Sequence, residues 1–267
     1  MAVRTCLWSV LIMLLVACTS KRSYLNPISS EPEFNRIVVA LDYVHFVDGL
    51  NELMDYDSEK NQVQIESLKL QITNVLKEKY YDVEWALVTS GVGLHPDMAF
   101  THVRDGQRHN EILYPPFYIQ SSYPFPIQDQ LMASFMDAQR IALTPATKDN
   151  QNYLQRVHLK SINFQSLMTP ATDSVGVLHI RVLVPQVSFL KKLGSGVVSV
   201  GISSGSVSGG HVGIGLPLTA GNQPLSTAVL FDNKNGRLLW KNQRNGDISR
   251  LQDDGIRYFF KALPVKP

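Results

Sequence analysis

The chain has 267 residues, 44% of them hydrophobic and 18% charged, with 25 basic against 23 acidic side chains. Collagen-like, coiled-coil and disordered chains need glycine periodicity, heavy charge or apolar poverty, and none is present. A formal net charge of +2 gives no electrostatic reason to expect a nucleic-acid partner, and two cysteines cannot build a disulfide framework.

Met1 to Ala17 reads as a signal peptide. Arg4 supplies a positive start, and Leu7 to Val16 is an almost unbroken apolar run. That run is too short for a membrane helix, which needs about 20 apolar residues. It ends in Leu15-Val16-Ala17-Cys18. Small residues before a cysteine at this point resemble the bacterial lipobox, where the signal is cut before the cysteine and the thiol is lipidated. The resemblance implies that Cys18 carries acyl chains such as palmitate, and that Cys6 leaves with the signal. The folded part then has no free thiol, which excludes cysteine catalysis and thiolate metal sites. Thr19 stands where an aspartate would retain an enterobacterial lipoprotein at the inner membrane. The sorting pattern that this resembles leads to the outer membrane.

Residues 19 to 35 show neither helical nor strand period, and Pro27 and Pro32 suit an extended tether. The expected plan is a signal peptide over 1–17, lipidated Cys18 with a flexible tether over 18–35, and one periplasmic domain over 36–267. Ile37 to Val44 is β-branched and reads as a buried strand. Ser58 to Tyr80 is the clearest helix: Leu68, Ile72, Val75 and Leu76 share one face, and Ser58 suits the N-cap. Val83 to Val88 reads as a second strand, so strand, helix and strand predict a parallel pair with a crossover helix. Residues 89 to 130 are broken by glycines and prolines. Tyr114, Phe117, Tyr118, Tyr123 and Phe125 among them read as a lid over the sheet.

Ile127 to Leu143 is expected to be helical, with Leu131, Phe135, Ala138 and Ala142 on one face. Val175 to Val184 reads as a strand with His179 and Arg181 on one side of the pleat. Nine glycines fall between Gly194 and Gly221. Val198, Val200 and Ile202 in one arm, and Val212, Ile214 and Leu216 in the other, alternate with small residues as in a hairpin. A further hairpin is signalled by Ala228 to Trp240, turning through Asn235-Gly236. Asp247 suits the cap of a helix from Ile248 to Leu263. The fold class expected is α+β, a mixed sheet with packed helices plus the Gly-rich hairpin.

The segment from Ala228 to Trp240 resembles a pattern in Gram-negative envelope lipoproteins: a strand, Asp232, turn residues, Gly236, Arg237, Leu238, Leu239 and Trp240. That group includes the curli-secretion channel lipoprotein and lipoprotein activators of penicillin-binding proteins. The resemblance implies a fold like the N-terminal domain of TolB.

Candidate chemistry is sparse along the chain. His95, His102 and His109 recur every seven residues with Asp97 and Asp105 between them, a set suited to zinc. Their spacing is not that of one helix face, so a surface-loop reading is preferred and no metal is expected. Ser195 and Ser206 sit among glycines without a nucleophile elbow, and His211 is the nearest histidine. No phosphate-binding loop follows the glycines. The expectation is therefore an outer-membrane-anchored periplasmic lipoprotein, non-enzymatic and without cofactor, that binds an envelope protein and is not directed to nucleic acid. The alternative is an oligomeric secretion or transport pore built from hairpin 194–221, whose arms reach the 9 to 11 residues of a membrane strand. A hydrolase using the histidine loop is a third, weaker reading.

Overall fold

The computed structural model describes residues 23–27, 32–47, 54–94, 96–164, 175–184, 224–251 and 253–265. Among these residues the fold is α+β with one mixed sheet. The elements in chain order begin with β1 (Tyr24–Leu25), β2 (Arg36–Val47), β3 (Met54–Asp57), α1 (Ser58–Glu78) and β4 (Asp82–Ser90). Then come β5 (Phe100–Arg104), β6 (Gln107–Leu113), β7 (Tyr118–Ser121), α2 (Phe125–Leu143) and α3 (Lys148–Arg156). The last are β8 (Val175–Val184), β9 (Leu225–Asp232), β10 (Leu238–Asn245), a 3-10 turn (Ile248–Arg250) and α4 (Asp253–Phe259).

β2 is the axis. It runs parallel to β8 from Arg36↔Val175 to His45↔Val184, and parallel to β4 on its other side. Antiparallel pairing extends the sheet through β9, β10 and β1 beyond β8, and through β7 beyond β4. The expected parallel pair with α1 in the crossover is present. At its far end β2 changes partners: Phe46 and Val47 pair antiparallel with β3, which leads into β5 and β6. The sheet thus forks, and the fork carries the histidines.

Side chains alternate across β2, so the two faces bury different layers. Ile37, Val39, Leu41 and Tyr43 face α1, α4 and Trp240 of β10. Val38 and Ala40 face α2, packing against Leu131, Phe135 and Ala138. All ten residues of β8 are buried, His179 and Arg181 included, because the strand has neighbours on both edges and layers on both faces. A third cluster fills the fork, where Phe117 stacks on Tyr56 with centroids 4.2 Å apart and meets Phe100 edge-on. From the aromatic-proline stretch, Phe117 and Tyr123 cover the sheet, whereas Tyr114 and Phe125 are exposed.

Three boundaries differ from expectation. Asp57, not Ser58, caps α1: its carboxylate accepts the Lys60 N–H at 3.0 Å, which moves Ser58 into the first helical position. The terminal helix is split. Asp247 caps only the 3-10 turn, accepting from Ser249 N–H, and Leu251 is extended before α4 begins. Part of the stretch read as a tether also sits on the sheet. Tyr24 and Leu25 pair with Lys241 and Trp240, and Asn26 is fully buried, its amide donating to the Leu238 carbonyl. Phe34 is buried too, and Gly176 makes room for it, since a Cβ there would lie 2.3 Å from the ring.

The hairpin forms, but across Asp232 to Arg237, and of the Asn-Gly pair only Gly236 takes positive φ. Gly236 has φ +69, and its N–H donates to the Asp232 carbonyl. A Cβ at Gly236 would fall 2.0 Å from the Leu159 carbonyl oxygen, so glycine is needed both for the turn and for the close approach. Among the described residues no helix is long and apolar enough to cross a membrane.

Candidate functional site

Among the described residues two histidine-serine pairs form, one inside the sheet layers and one at the fork. At the fork, β3 and β5 are parallel with Tyr56 opposite His102 and Asp57 opposite Val103. α1 leaves β3 without an intervening residue, so Ser58 lands beside the His102 side chain. The β5–β6 hairpin turns at Asp105-Gly106, both with positive φ, and returns His109 and Glu111 along β5.

The outcome is a chain of three side chains. Ser58 Oγ lies 3.0 Å from His102 Nε2, and His102 Nδ1 lies 3.2 Å from Glu111 Oε2. With the ring proton on Nδ1, His102 donates to the Glu111 carboxylate and accepts the Ser58 hydroxyl proton at Nε2. The second acceptor within reach of Ser58 is the Val103 carbonyl oxygen, at 3.5 Å. The His102 side chain is 13% exposed and the Glu111 side chain 64%, so the corner runs from half-buried to open. Around it, Arg108 Nε donates to Asp55 at 2.7 Å, Lys60 pairs with Asp57 at 2.9 Å, and Glu59 accepts the Asp105 N–H.

His102 and His109 do come together, with ring centroids 5.8 Å apart. Among the described residues, however, no group of three or more His, Cys, Asp or Glu side chains is placed to hold a metal ion. Asp97 is exposed, and Asp105 occupies the β5–β6 turn. His95, Cys18, Ser195, Ser206, His211 and the hairpin 194–221 lie outside the described residues. Ser58 entered the sequence reading only as a cap, and Glu111 did not enter it. The signal for both was the strand-to-helix junction at Asp57-Ser58 and the two-residue turn that folds β6 back.

The second pair lies under α2. Ser134 Oγ is 3.0 Å from His179 Nε2, and the His179 ring is stacked on Phe231 and met edge-on by Phe135. Burial pushes this imidazole down to about 3, so it is neutral at any physiological pH. Beside it on β8, Arg181 Nε reaches Asp42 Oδ2 at 3.4 Å. Asp42 Oδ1 accepts from the Thr89 hydroxyl and the Val92 N–H, which fastens the loop after β4 to β2. Burial pushes the Asp42 carboxyl up, while Arg181 and these donors oppose the shift. Lys241 completes the row, donating to the Ala142 and Thr144 carbonyls at the end of α2; burial pushes its ammonium down to about 8. These groups fix α2 and a loop onto the sheet.

A groove of about 460 Å³ opens at the first turns of α1, lined by Tyr43, His45, Glu59, Lys60, Val63 and Arg250 among others. Glu59 and Lys60 border both the groove and the fork, whereas Val63 lies about 140° round the helix from Ser58. No family model matches the chain, and no curated protein or solved structure matches it either. What fold and site define is an α+β domain with a forked mixed sheet and a polar histidine corner at the fork.

Proposed function

We propose that this chain is a lipoprotein anchored through Cys18 at the periplasmic face of the outer membrane, whose domain binds another envelope protein in a role that needs no catalysis. The observation that carries this reading is Leu15-Val16-Ala17-Cys18 at the end of a ten-residue apolar run. The domain itself takes a fold like the N-terminal domain of TolB. Support comes from the β2–α1–β4 crossover and from the β9–β10 hairpin with Asp232, Gly236 and Trp240 in their family-like places. A lipid anchor holds such a domain close to its partner and raises its effective concentration there. Cys18 stands six residues before Tyr24, so the sheet is held within about 20 Å of the lipidated residue.

Cys18→Ser tests the anchor. Each buried methylene contributes about 0.8 kcal/mol to membrane attachment, and the variant loses the thioether that carries the diacylglycerol. It is expected to fold, to take up no labelled fatty acid, and to remain an uncut precursor or turn soluble in the periplasm. Wild-type chain that takes up no label, or is cut elsewhere than before Cys18, would sink the reading. Crosslinking in intact cells is expected to recover one envelope protein; recovery of ring oligomers in detergent would favour the pore.

A further inference from the structure

The geometry points to a chemical capability beyond that binding role: Ser58, His102 and Glu111 form a serine acyl-transfer site that accepts small neutral or cationic esters. A nucleophile, a base and a group that orients the base must lie within hydrogen-bond reach in series, and here they do, at 3.0 and 3.2 Å. The three residues come from α1, β5 and β6, so the backbone pairing of β3, β5 and β6 holds them in place. Ser58 stands at a direct strand-to-helix junction, and Ser58 and Glu59 are the first two residues of a 21-residue helix. Their N–H groups, in the first turn, have no intrahelical acceptor, which leaves them as candidate donors to an oxyanion.

In the acylation step Ser58 Oγ bonds to the ester carbonyl carbon while its proton passes to His102 Nε2. The carbonyl electron pair moves to oxygen and returns as the C–O bond to the leaving alcohol breaks, and His102 gives that alcohol the proton. Water, deprotonated by the same nitrogen, then releases the acid and restores Ser58. Glu111 is a positioning residue: its carboxylate holds Nδ1–H and so keeps Nε2 free to accept.

The surroundings set the substrate class. Ser58 is half-buried and the His102 side chain is 13% exposed, which suits short acyl groups. Among the described residues, Glu59, Asp105 and Glu111 have no lysine or arginine partner, whereas Asp55 and Asp57 are paired with Arg108 and Lys60. Arg104, next to Asp105 at the end of β5, offsets one of these three carboxylates, and the remaining negative charge disfavours an anionic acyl donor.

The test uses the full chain in detergent, a fluorophosphonate probe, and the p-nitrophenyl esters of acetate and of succinate, the second bearing a free carboxylate. Wild type is expected to take one label, mapped to Ser58, and to hydrolyse the acetate faster than the succinate half-ester. Ser58→Ala abolishes labelling, His102→Ala slows it by about 100-fold or more, and Glu111→Gln slows it by about tenfold. Glu111 is largely exposed, so its variant folds and decides the matter even where another variant does not. No label on Ser58, or equal labelling rates in wild type, His102→Ala and Glu111→Gln, would overturn the proposal. Ser58→Ala is expected to keep the fatty-acid label and the crosslinked partner, so failure here is separate from failure of the binding role.

Discussion

His179 and His102 each hold a serine hydroxyl at 3.0 Å from Nε2, and they are chemically opposite groups. His179 lies between two phenylalanine rings, fully buried, and its Nδ1 has no hydrogen-bond partner among the described residues. Its ring stays neutral because desolvation penalises the charged form. It can neither shed a proton to a base behind it nor meet a substrate. His102 stands on a forked edge with a carboxylate on Nδ1 and open space beyond Glu111. The serine-histidine distance alone therefore says little. The third partner and the access decide between a core contact and a reactive one.

The largest expected contrast comes from placing a carboxylate at both histidines. His179→Asp buries an anion between Phe135 and Phe231 and is expected to cost about 3–5 kcal/mol. His102→Asp loses the bonds to Ser58 and Glu111 and faces the Glu111 carboxylate, but at a partly open corner, and is expected to cost about 1–2 kcal/mol. Urea unfolding midpoints compare the two, and equal losses would erase the distinction drawn between the sites.

Acid titration gives the next effect. The unfolded chain protonates histidine near 6.5, whereas folded His179 resists until about 3, so the unfolded state binds the extra proton in that window. Stability is therefore lost as pH falls from 6.5 toward 3, by about 1.4 kcal/mol per pH unit from this residue. His179→Gln keeps a polar partner for Ser134 and is expected to flatten that slope; an unchanged slope would assign the acid sensitivity to other groups. The smallest effect is Ser134→Ala, which leaves Nε2 of a buried ring without its partner and should cost about 1–2 kcal/mol in thermal or urea unfolding.

Much of the frame was legible in the sequence. Ile37 to Val44 and Val83 to Val88 gave the parallel pair, Leu68, Ile72 and Leu76 the crossover helix, and Asn235-Gly236 the hairpin. The fork was not legible. β3 is Met54-Asp55-Tyr56-Asp57, four residues without β-branching, and it forms because Phe46 and Val47 lend it a partner and Phe117 stacks on Tyr56. β1 has two residues, too few for any period to show. The histidine corner was half legible. The seven-residue spacing of His102 and His109 suits a surface loop better than a metal site, yet both stand on strands, β5 and β6, whose hairpin brings the rings together. The partners that give His102 its chemistry lie 44 residues before it and nine after, and the pairings of β3 with β5 and of β5 with β6 join them.

The seat of β1 also sets how mechanical load enters the molecule. A pull directed along β1 loads the Tyr24↔Lys241 and Leu25↔Trp240 pairs in shear, together with the Asn26 bonds to Leu238 and Leu239. Behind them stand Trp240, fully buried beside Phe260, and Phe34 wedged over Gly176. Such tension reaches fully buried strands level with Val39 and Ala40 of β2, whereas the forked corner with Ser58 and His102 sits beyond Phe46, at the far end of that strand.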